Sequence, residues 1–556
     1  MKNLRIFSAA LVMSFGFINA QDIEQAKGAI DAEQYEKAKV ILKSIIQAKP
    51  SNGRAAFLLG NVYLKQDVAD SAAIYFQKGL TTTDGAKLNY IGLGQMELDK
   101  GNISAAQSNF ALATKDIKKK DTEELLYVAK AYMSSNKPDF KSAITVLTKA
   151  KTANPTDAQV QLALGDAYHG DKNQNDAYIA YRNAFTTDNA LIRAKVQQAS
   201  LLRGARSFSE AVKSLNDVIT ANPNYGPAYR ELAETYYIWA NTEGKRKYAE
   251  YIKIARTNYE KYMGMTDYSL SKRMRRADFL ILDKDYKALE EEANKMKEID
   301  KVNPRILRYL GYSAYENENI EIAQKSLEEF IANPKNKVIA RDYLYLGLAK
   351  IKKASNASGQ VDQAMFNAGV TDVKKAVEME ITMTNELSDI GKKLFTEKRY
   401  KEAGSIFEIA ISNPDSRNYN DDINYYAILV HTLNKNLDAA KRDTPSLKKA
   451  DEGLALIISK FPEYRDAYFY RARISSLLED GVAMVKSYED YIKGVTTAGP
   501  EELANPNNKN KLIEAYNTTA ANYTGTDKAK AVEYFNKTLA LDPANEYATA
   551  SLKQLK

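Results

Sequence analysis

Histidine and cysteine carry much of the metal binding and nucleophilic or acid–base catalysis in proteins. This chain of 556 residues has two histidines and no cysteine. His169 and His431 lie far apart, and neither has a second ligand at a metal-binding spacing such as HExxH. The absence of cysteine excludes disulfides, thiol catalysis, zinc knuckles and a lipid-modified N-terminal cysteine. We therefore predict no metal site, and we interpret both histidines as exposed polar residues on helices.

Other catalytic motifs give the same result. The sequence contains neither a GxSxG elbow nor a Walker A motif, and Gly92 and Gly94 are not preceded by a strand that would make a phosphate loop. Glu290 and Glu292 are an acidic pair, which we interpret as a solvated helix face. We predict no catalytic residue, no cofactor and no enzymatic activity.

The elements that carry these residues show a strict spacing. Gly165 is followed by Tyr168 three positions later, Ala177 twelve later, Tyr181 sixteen later and Ala184 nineteen later. Most of these offsets, above all those of twelve, sixteen and nineteen, recur from other small residues, namely Gly60, Gly94, Ala199, Gly311 and Gly391. Repeats of 20 to 50 residues indicate a solenoid or an array.

Each offset has a physical reason. Apolar residues three and four apart lie on one face of a helix, and no segment alternates with the period of two that strands need. Two antiparallel helices approach closely where a side chain is small, so Gly165 and Ala177 make room at a crossing that larger residues surround. Prolines such as Pro155 and Pro223 then end one helix pair and start the next.

This set of a small residue, aromatic residues, alanines and a closing proline resembles the tetratricopeptide repeat. The resemblance covers nearly the whole chain after residue 20 and implies an all-α fold, a right-handed α-solenoid of about fourteen antiparallel helix pairs. The small residues that head the units are Ala26, Gly60, Gly94, Ala129, Gly165, Ala199, Ala233, Ala277, Gly311, Gly347, Gly391, Ala427, Ala472 and Ala520. Additions near residues 242, 353 and 437 are either extended helices or protruding loops.

The sequence also predicts how the chain is divided. Residues 1–20 have a basic start, a short apolar run and a small exit residue, which is typical of a secretory signal peptide; the alternative is a buried first helix. We expect an N-terminal repeat array over 21–352, an irregular insertion or extended helix over 353–390, and a C-terminal array over 391–556. No later segment is long and apolar enough to span a membrane. We expect export to the periplasm of a Gram-negative bacterium, and we leave open whether the protein is peripheral to the outer membrane.

The family resemblance also implies a binding groove lined by the first helix of each pair. Residues six and three before the small residue, and one and four after it, would face a bound peptide. The candidates at these positions are Arg193, Arg203, Arg230, Tyr237, Arg305, Arg308, Tyr312, Tyr315 and Arg341. Arginine forks suit carboxylates, so the groove could hold an acidic or C-terminal peptide segment. The alternative is that these arginines are simply solvated.

Composition limits the class of partner. The formal charge of +8 is mild for this length and does not by itself indicate nucleic acid. We expect other proteins as partners, specifically components of the envelope or outer membrane, and we leave the oligomeric state open. Three functions remain: a scaffold that organises an envelope complex for secretion, uptake or outer-membrane assembly, a chaperone-like carrier of exported chains, and an enzyme with a site in the insertions. The scaffold is the function we favour.

Overall fold

The computed structural model describes residues 22–300, 302–354 and 361–555, and these form helices joined by short turns, with no β-strand. The chain divides into two compact units, Met1–Asp300 and Lys301–Lys556. The predicted signal peptide, residues 1–20, lies outside the described residues. The predicted domain boundaries at 352 and 390 stay predictions.

Within its described residues, unit 1 contains eight helix hairpins. We call the first helix of each hairpin its A helix and the second its B helix. In chain order they are α1 (22–31), α2 (Tyr35–Ala48), α3 (Gly53–Lys65), α4 (Ala69–Leu80), α5 (Ala86–Asp99), α6 (Ile103–Thr114), α7 (Glu123–Ser134), α8 (Phe140–Ala153), α9 (Ala158–Gly170), α10 (Gln174–Thr187), α11 (Ile192–Gly204), α12 (Phe208–Ala221), α13 (Gly226–Glu243), α14 (Lys245–Met265), α15 (Leu270–Leu282) and α16 (Tyr286–Ile299).

Unit 2 contains six more hairpins in the part that the structure describes. Its helices are α17 (Arg305–Glu316), α18 (Ile320–Ala332), α19 (Ala340–Lys353), α20 (Gln363–Met379), α21 (Thr384–Thr396), α22 (Tyr400–Ala410), α23 (Tyr419–Asn434), α24 (Thr444–Lys460), α25 (Arg465–Leu477), α26 (Gly481–Thr497), α27 (Pro500–Ala504), α28 (Pro506–Tyr523), α29 (Lys528–Leu541) and α30 (Glu546–Gln554). Short 3-10 helices cover Ile381–Met383 and Ala439–Lys441. All fourteen small residues that head the predicted units lie on A helices, so the predicted all-α solenoid is confirmed.

The offset of sixteen residues is a direct packing contact. A Cβ atom added to Gly165 would lie 2.4 Å from Cδ1 of Tyr181, sixteen residues later on the partner helix. The same relation joins Gly60 to Phe76, where the closest approach would be 2.3 Å. The small residue on the A helix therefore makes room for the large residue of the B helix, while the alanine twelve positions on, such as Ala177, is fully buried beside them.

One hairpin replaces this arrangement with a closer approach of the two backbones. A Cβ on Gly347 in α19 would lie 2.6 Å from the carbonyl oxygen of Gly369 in α20, and a Cβ on Gly369 would lie 2.7 Å from that of Gly347. Helix α20 therefore serves as the B helix of this hairpin, inside the segment 353–390 predicted as an irregular insertion or extended helix. Residues 355–360 of that segment lie outside the described residues.

Neighbouring A helices pack on one another in both units. In unit 1, α3 contacts α5, α5 contacts α7, α7 contacts α9, and α11 contacts α13. In unit 2, α17 contacts α19, and α23 contacts α25. In these hairpins an A helix thus packs on the next A helix as well as on its own B helix, and we call the surface that the A helices of a unit present the inner face. It is the face on which the sequence placed the candidate groove.

Candidate peptide-binding surface

Four of the predicted groove residues lie on two neighbouring A helices of unit 1. Arg193 and Arg203 stand at opposite ends of α11, and Arg230 and Tyr237 lie on α13. Because an α-helix repeats every 3.6 residues, side chains at these spacings share one face. The structure therefore places these four residues on neighbouring A helices.

Arg193 binds two carboxylates of its own chain. Its Nη2 donates to Oδ2 of Asp166 on α9 at 2.8 Å, and its Nε lies 3.7 Å from Oδ1 of Asp31 at the end of α1. The hydroxyl of Tyr181 also donates to Asp166, at 2.9 Å, and that of Tyr225 donates to Asp31, at 3.0 Å. Asp31 is a contact that the sequence could not indicate, because it comes from the far end of the unit.

Arg230 and Arg203 are held in the same way. Arg230 forms an ion pair with Glu33, from the turn between α1 and α2, and its Nε lies 3.1 Å from Oε1 of Glu231. Nη1 of Arg203 donates to Oε2 of Glu231 at 2.6 Å. Arginine forks that bind carboxylates directly are the chemistry predicted for this face, but here the carboxylates belong to the protein itself.

Tyr237 lies beneath a guanidinium that the sequence reasoning missed. The guanidinium carbon of Arg275 on α15 is 4.6 Å from the centre of the Tyr237 ring. The same guanidinium donates twice to Glu234, at 2.8 and 2.6 Å. The basic run before Ala277 was the only sequence signal for this group.

In unit 2 the predicted residues interlock with the following helices. Nε and Nη2 of Arg308 donate to the two oxygens of Asp342 at 2.7 and 2.8 Å, and the hydroxyl of Tyr312 donates to Oδ1 of the same carboxylate at 2.7 Å. Asp342 is fully buried, and Tyr312 is nearly so. Arg341 pairs with Glu386 at 2.5 Å. Arg308 and Tyr312 are therefore structural residues more than an open binding surface.

The two remaining candidates lie beside this cluster. Nη2 of Arg305, an exposed side chain, donates to the hydroxyl of Tyr309 at 2.9 Å. Tyr315 is half-buried and packs edge-on against Tyr345, with ring centres 5.4 Å apart. Tyr345 also stacks on Tyr312 at 4.5 Å. The three tyrosines form an aromatic strip next to the arginines.

The structure corrects two interpretations of charge. The alternative that the groove arginines are simply solvated is wrong for Arg193, Arg203, Arg230, Arg308 and Arg341, which bind carboxylates. The acidic pair at Glu290 and Glu292 is not a solvated face, because the side chain of Glu292 is only 2% exposed and binds Arg273 and Arg276. In each case a carboxylate and an arginine distant in sequence meet between packed helices. Peptide binding by the groove stays a prediction.

The two histidines occupy different environments. His169 is exposed, and its Nδ1 lies 3.1 Å from Oε1 of Gln174. His431 is partly buried, not exposed as expected, and burial together with the nearby Arg473 lowers its pKa to about 4. In the described residues no group of three or more histidine, cysteine, aspartate or glutamate side chains could hold a metal ion.

Asp422 gives unit 2 a pH-dependent stability that can be measured. This side chain of α23 is fully buried, and burial raises its pKa to about 6, although the Ser388 hydroxyl opposes the shift. A carboxyl whose pKa is higher in the folded state than in the unfolded state destabilises the protein only where it ionises. Its cost to the free energy of unfolding is absent below about pH 4, grows between about pH 4 and 6, and is complete above about pH 6. We expect Asp422→Asn to stabilise the protein by about 2 kcal/mol at pH 8 and to change little at pH 4.

Urea unfolding followed by circular dichroism at the two pH values measures this difference. Asp421→Asn is the matched control, because that neighbouring carboxylate is 60% exposed and its pair with Lys392 should contribute little. An equal effect of Asp422→Asn at both pH values would show that the buried carboxyl does not ionise with the expected penalty.

Comparison with known proteins agrees with this geometry. The helix hairpins define a repeat protein of the kind that binds other proteins along its surface. The family model for the tetratricopeptide repeat matches residues 23–87, which cover α2 to α4 and most of α1. The chain contains tetratricopeptide repeats.

Individual relatives are distant. The chain is similar to the C-terminal part of a tetratricopeptide repeat-containing protein from Cytophaga hutchinsonii, with 23% identity, 50% of this chain and 98% of that one covered, and a TM-score of 0.33. A tetratricopeptide repeat protein from Parabacteroides merdae has 18% identity, with 47% of this chain and 93% of that one covered, and a TM-score of 0.30. A search of the curated proteins found no match. No helix in the described part of the chain combines the length and the apolar character needed to cross a membrane.

Proposed function

We propose that the protein is a non-enzymatic scaffold in the periplasm of a Gram-negative bacterium, where it organises or assists a protein complex of the cell envelope. The observation that carries this proposal is the inner face of each unit, the surface of its A helices, with partly exposed charged and aromatic side chains. Tetratricopeptide repeats are protein-interaction modules, and such a layer offers an extended surface to a partner segment.

The exposed groups on this face suit a polar partner. The side chains of Arg341 and Glu386 are 36% and 40% exposed although they pair with each other, and Arg193 is 30% exposed between its two carboxylates. Ion pairs in this range of exposure contribute little to folding stability, so their partners can be exchanged. The half-buried Tyr315 and Tyr345 add apolar area with a polar tip, as interface residues commonly do.

The partner is identified by a crosslinking pull-down from the native envelope, followed by mass spectrometry. We expect one stable set of envelope proteins with the wild type and less of it with Arg341→Gln. Arg417→Gln is the control, because Arg417 is exposed in the turn before α23. Recovery of many unrelated unfolded chains would instead support a chaperone-like carrier, and recovery of cytoplasmic proteins alone would contradict the proposal.

The location is tested separately. The proposal places the mature N-terminus at Gln21, after the predicted signal peptide. Cell fractionation and the intact mass of the purified protein measure both properties. A protein that keeps residues 1–20 and fractionates with the cytoplasm would contradict the proposed location, whatever the pull-down recovers.

A further inference from the structure

The turn between α1 and α2 lies on the inner face of hairpins six to eight of its own unit. Glu33, at the apex of this turn, forms an ion pair with Arg230 of α13. It also accepts a hydrogen bond from the hydroxyl of Tyr262 at 2.5 Å and lies 3.2 Å from Nζ of Lys272. Although burial opposes the shift, Arg230, Tyr262 and Lys272 hold the pKa of Glu33 below its usual value. One carboxylate thus meets groups from three helices about 200 residues away in sequence.

Other residues of this turn contact the same surface. Asp31 accepts from the hydroxyl of Tyr225 and lies near Arg193, while Ala32 packs between them against the core that contains Tyr225 and Val196. The backbone N–H of Glu36 donates to Oδ2 of Asp267 at 2.8 Å. The surface therefore holds a short acidic segment whose two carboxylates are two residues apart, each against its own arginine.

The shape of this turn is common to the repeats, but the partners of its carboxylates are not. Glu33 has a φ of +58°, and the equivalent positions of later hairpins have the same left-handed backbone, with φ of +59° at Asp67 and +64° at Lys172. Asp67 and Lys172 are exposed, whereas Glu33 is largely enclosed by the inner face. The turn geometry is thus set by the repeat. Glu316 and Glu318 take the same two positions in a later turn and bind Tyr345 and Lys352 of the next hairpin. What distinguishes the first turn is that its two carboxylates meet arginines of distant hairpins.

The contact is firm at Glu33 and weak at Asp31. Asp31 is 40% exposed and 3.7 Å from Arg193, and burial raises its pKa in spite of that arginine. Two further cations, Lys65 and Lys130, lie near Asp31 and Arg193. Burial and the nearby Arg193 lower the pKa of Lys65, and they lower that of Lys130 to about 8. Because Arg193 repels both lysines, negative charge near Asp31 is favourable, and the carboxylate of a partner segment would supply it.

We propose that the surface around Arg193 and Arg230 binds an acidic partner segment with two carboxylates two residues apart, and that residues 31–36 occupy it until such a segment displaces them. This inference rests on the proposed use of the inner face for binding. The turn then takes the place of the partner segment within the same chain. The protein therefore binds the partner segment more weakly than it would if residues 31–36 did not cover the surface.

A labelled synthetic peptide that copies residues 28–37, GAIDAEQYEK, is the probe, and fluorescence anisotropy on the full chain is the measurement. We expect the variant Asp31→Asn/Glu33→Gln to bind the peptide at least tenfold more tightly than the wild type does. Addition of Arg193→Gln/Arg230→Gln should remove that gain. The control Asp67→Asn/Asp70→Asn makes the same charge change at the exposed second turn and should bind as the wild type does.

A covalent lock tests the same point without removing any charge that binds the peptide. Since the chain has no cysteine, Glu36→Cys and Asp267→Cys can be joined selectively by a reducible bismaleimide. We expect the linked protein to lose peptide binding and to regain it on reduction. Binding that is the same in the linked and reduced states would overturn the inference.

The outcomes separate the two proposals. If the wild type and the turn variant bind the peptide equally, the turn does not compete, and the scaffold function is untouched. If neither binds, the arginine surface does not take acidic segments and the inference is wrong, while the pull-down still decides whether the protein is a scaffold.

Discussion

Replacing Arg308 by alanine is expected to destabilise unit 2 by about 3 kcal/mol, because it leaves a buried carboxylate without its cation. Asp342 is fully buried and accepts two bonds from this guanidinium. The hydroxyl of Tyr312 and the backbone N–H of Ile339 would remain, at 2.7 and 2.8 Å, but neither carries a charge. Urea unfolding followed by circular dichroism measures the loss.

The double variant Arg308→Ala/Asp342→Asn shows whether the loss comes from the pair. We expect it to be more stable than Arg308→Ala alone, since the unpaired charge is gone. Arg417→Ala is the control for an exposed arginine of the same unit and should change stability by less than about 0.5 kcal/mol. An Arg308→Ala protein as stable as the control would mean that Asp342 does not depend on this arginine.

Replacing Gly347 by alanine is expected to cost about 2 to 3 kcal/mol, because the new methyl group meets backbone on the partner helix. Its closest neighbours would be the carbonyl oxygen of Gly369 at 2.6 Å, Cγ2 of Val373 at 2.7 Å and the amide nitrogen of Val373 at 2.9 Å. Backbone atoms cannot rotate away as a side chain can, so α19 and α20 must separate. Thermal or urea unfolding of the variant measures the cost.

Gly404→Ala is the matched control, since this glycine lies within α22 and a Cβ there would have no neighbour within 4 Å. It should leave stability unchanged or raise it by up to about 1 kcal/mol through helix propensity. Gly369→Ala should cost as much as Gly347→Ala, and the two together less than the sum, because one separation of the helices accommodates both. A neutral effect of Gly347→Ala would show that the crossing is looser than described.

The packing of each hairpin could be predicted from the sequence because it is local. Gly165 and Tyr181 are sixteen residues apart, and their contact follows from the geometry of two adjacent helices. The same holds along the chain, which is why the heads of all fourteen units could be placed on A helices. The hairpin of α19 and α20 was harder, because its added residues displace the usual offsets and glycine replaces the large side chain.

The partners of the groove residues could not be predicted in this way. The spacing places Arg230 and Arg308 on the inner face, but it does not say which carboxylate reaches them. Glu33 comes from the opposite end of unit 1. Asp342 comes from the next repeat, and nothing in the sequence distinguishes it from other polar residues near the start of a helix. Such contacts depend on how successive repeats stack, which a single repeat does not encode.

Photo-crosslinking from matched positions in one hairpin tests most directly whether partners bind the inner face. A benzophenone amino acid replaces either Gln95 on the A helix α5 or Gln107 on its B helix α6, and a second pair in unit 2 uses Ile428 on α23 and Glu452 on α24. We expect irradiation in the native envelope to crosslink partner proteins from Gln95 or Ile428 and not from Gln107 or Glu452. Crosslinks from the B-helix positions alone would contradict it.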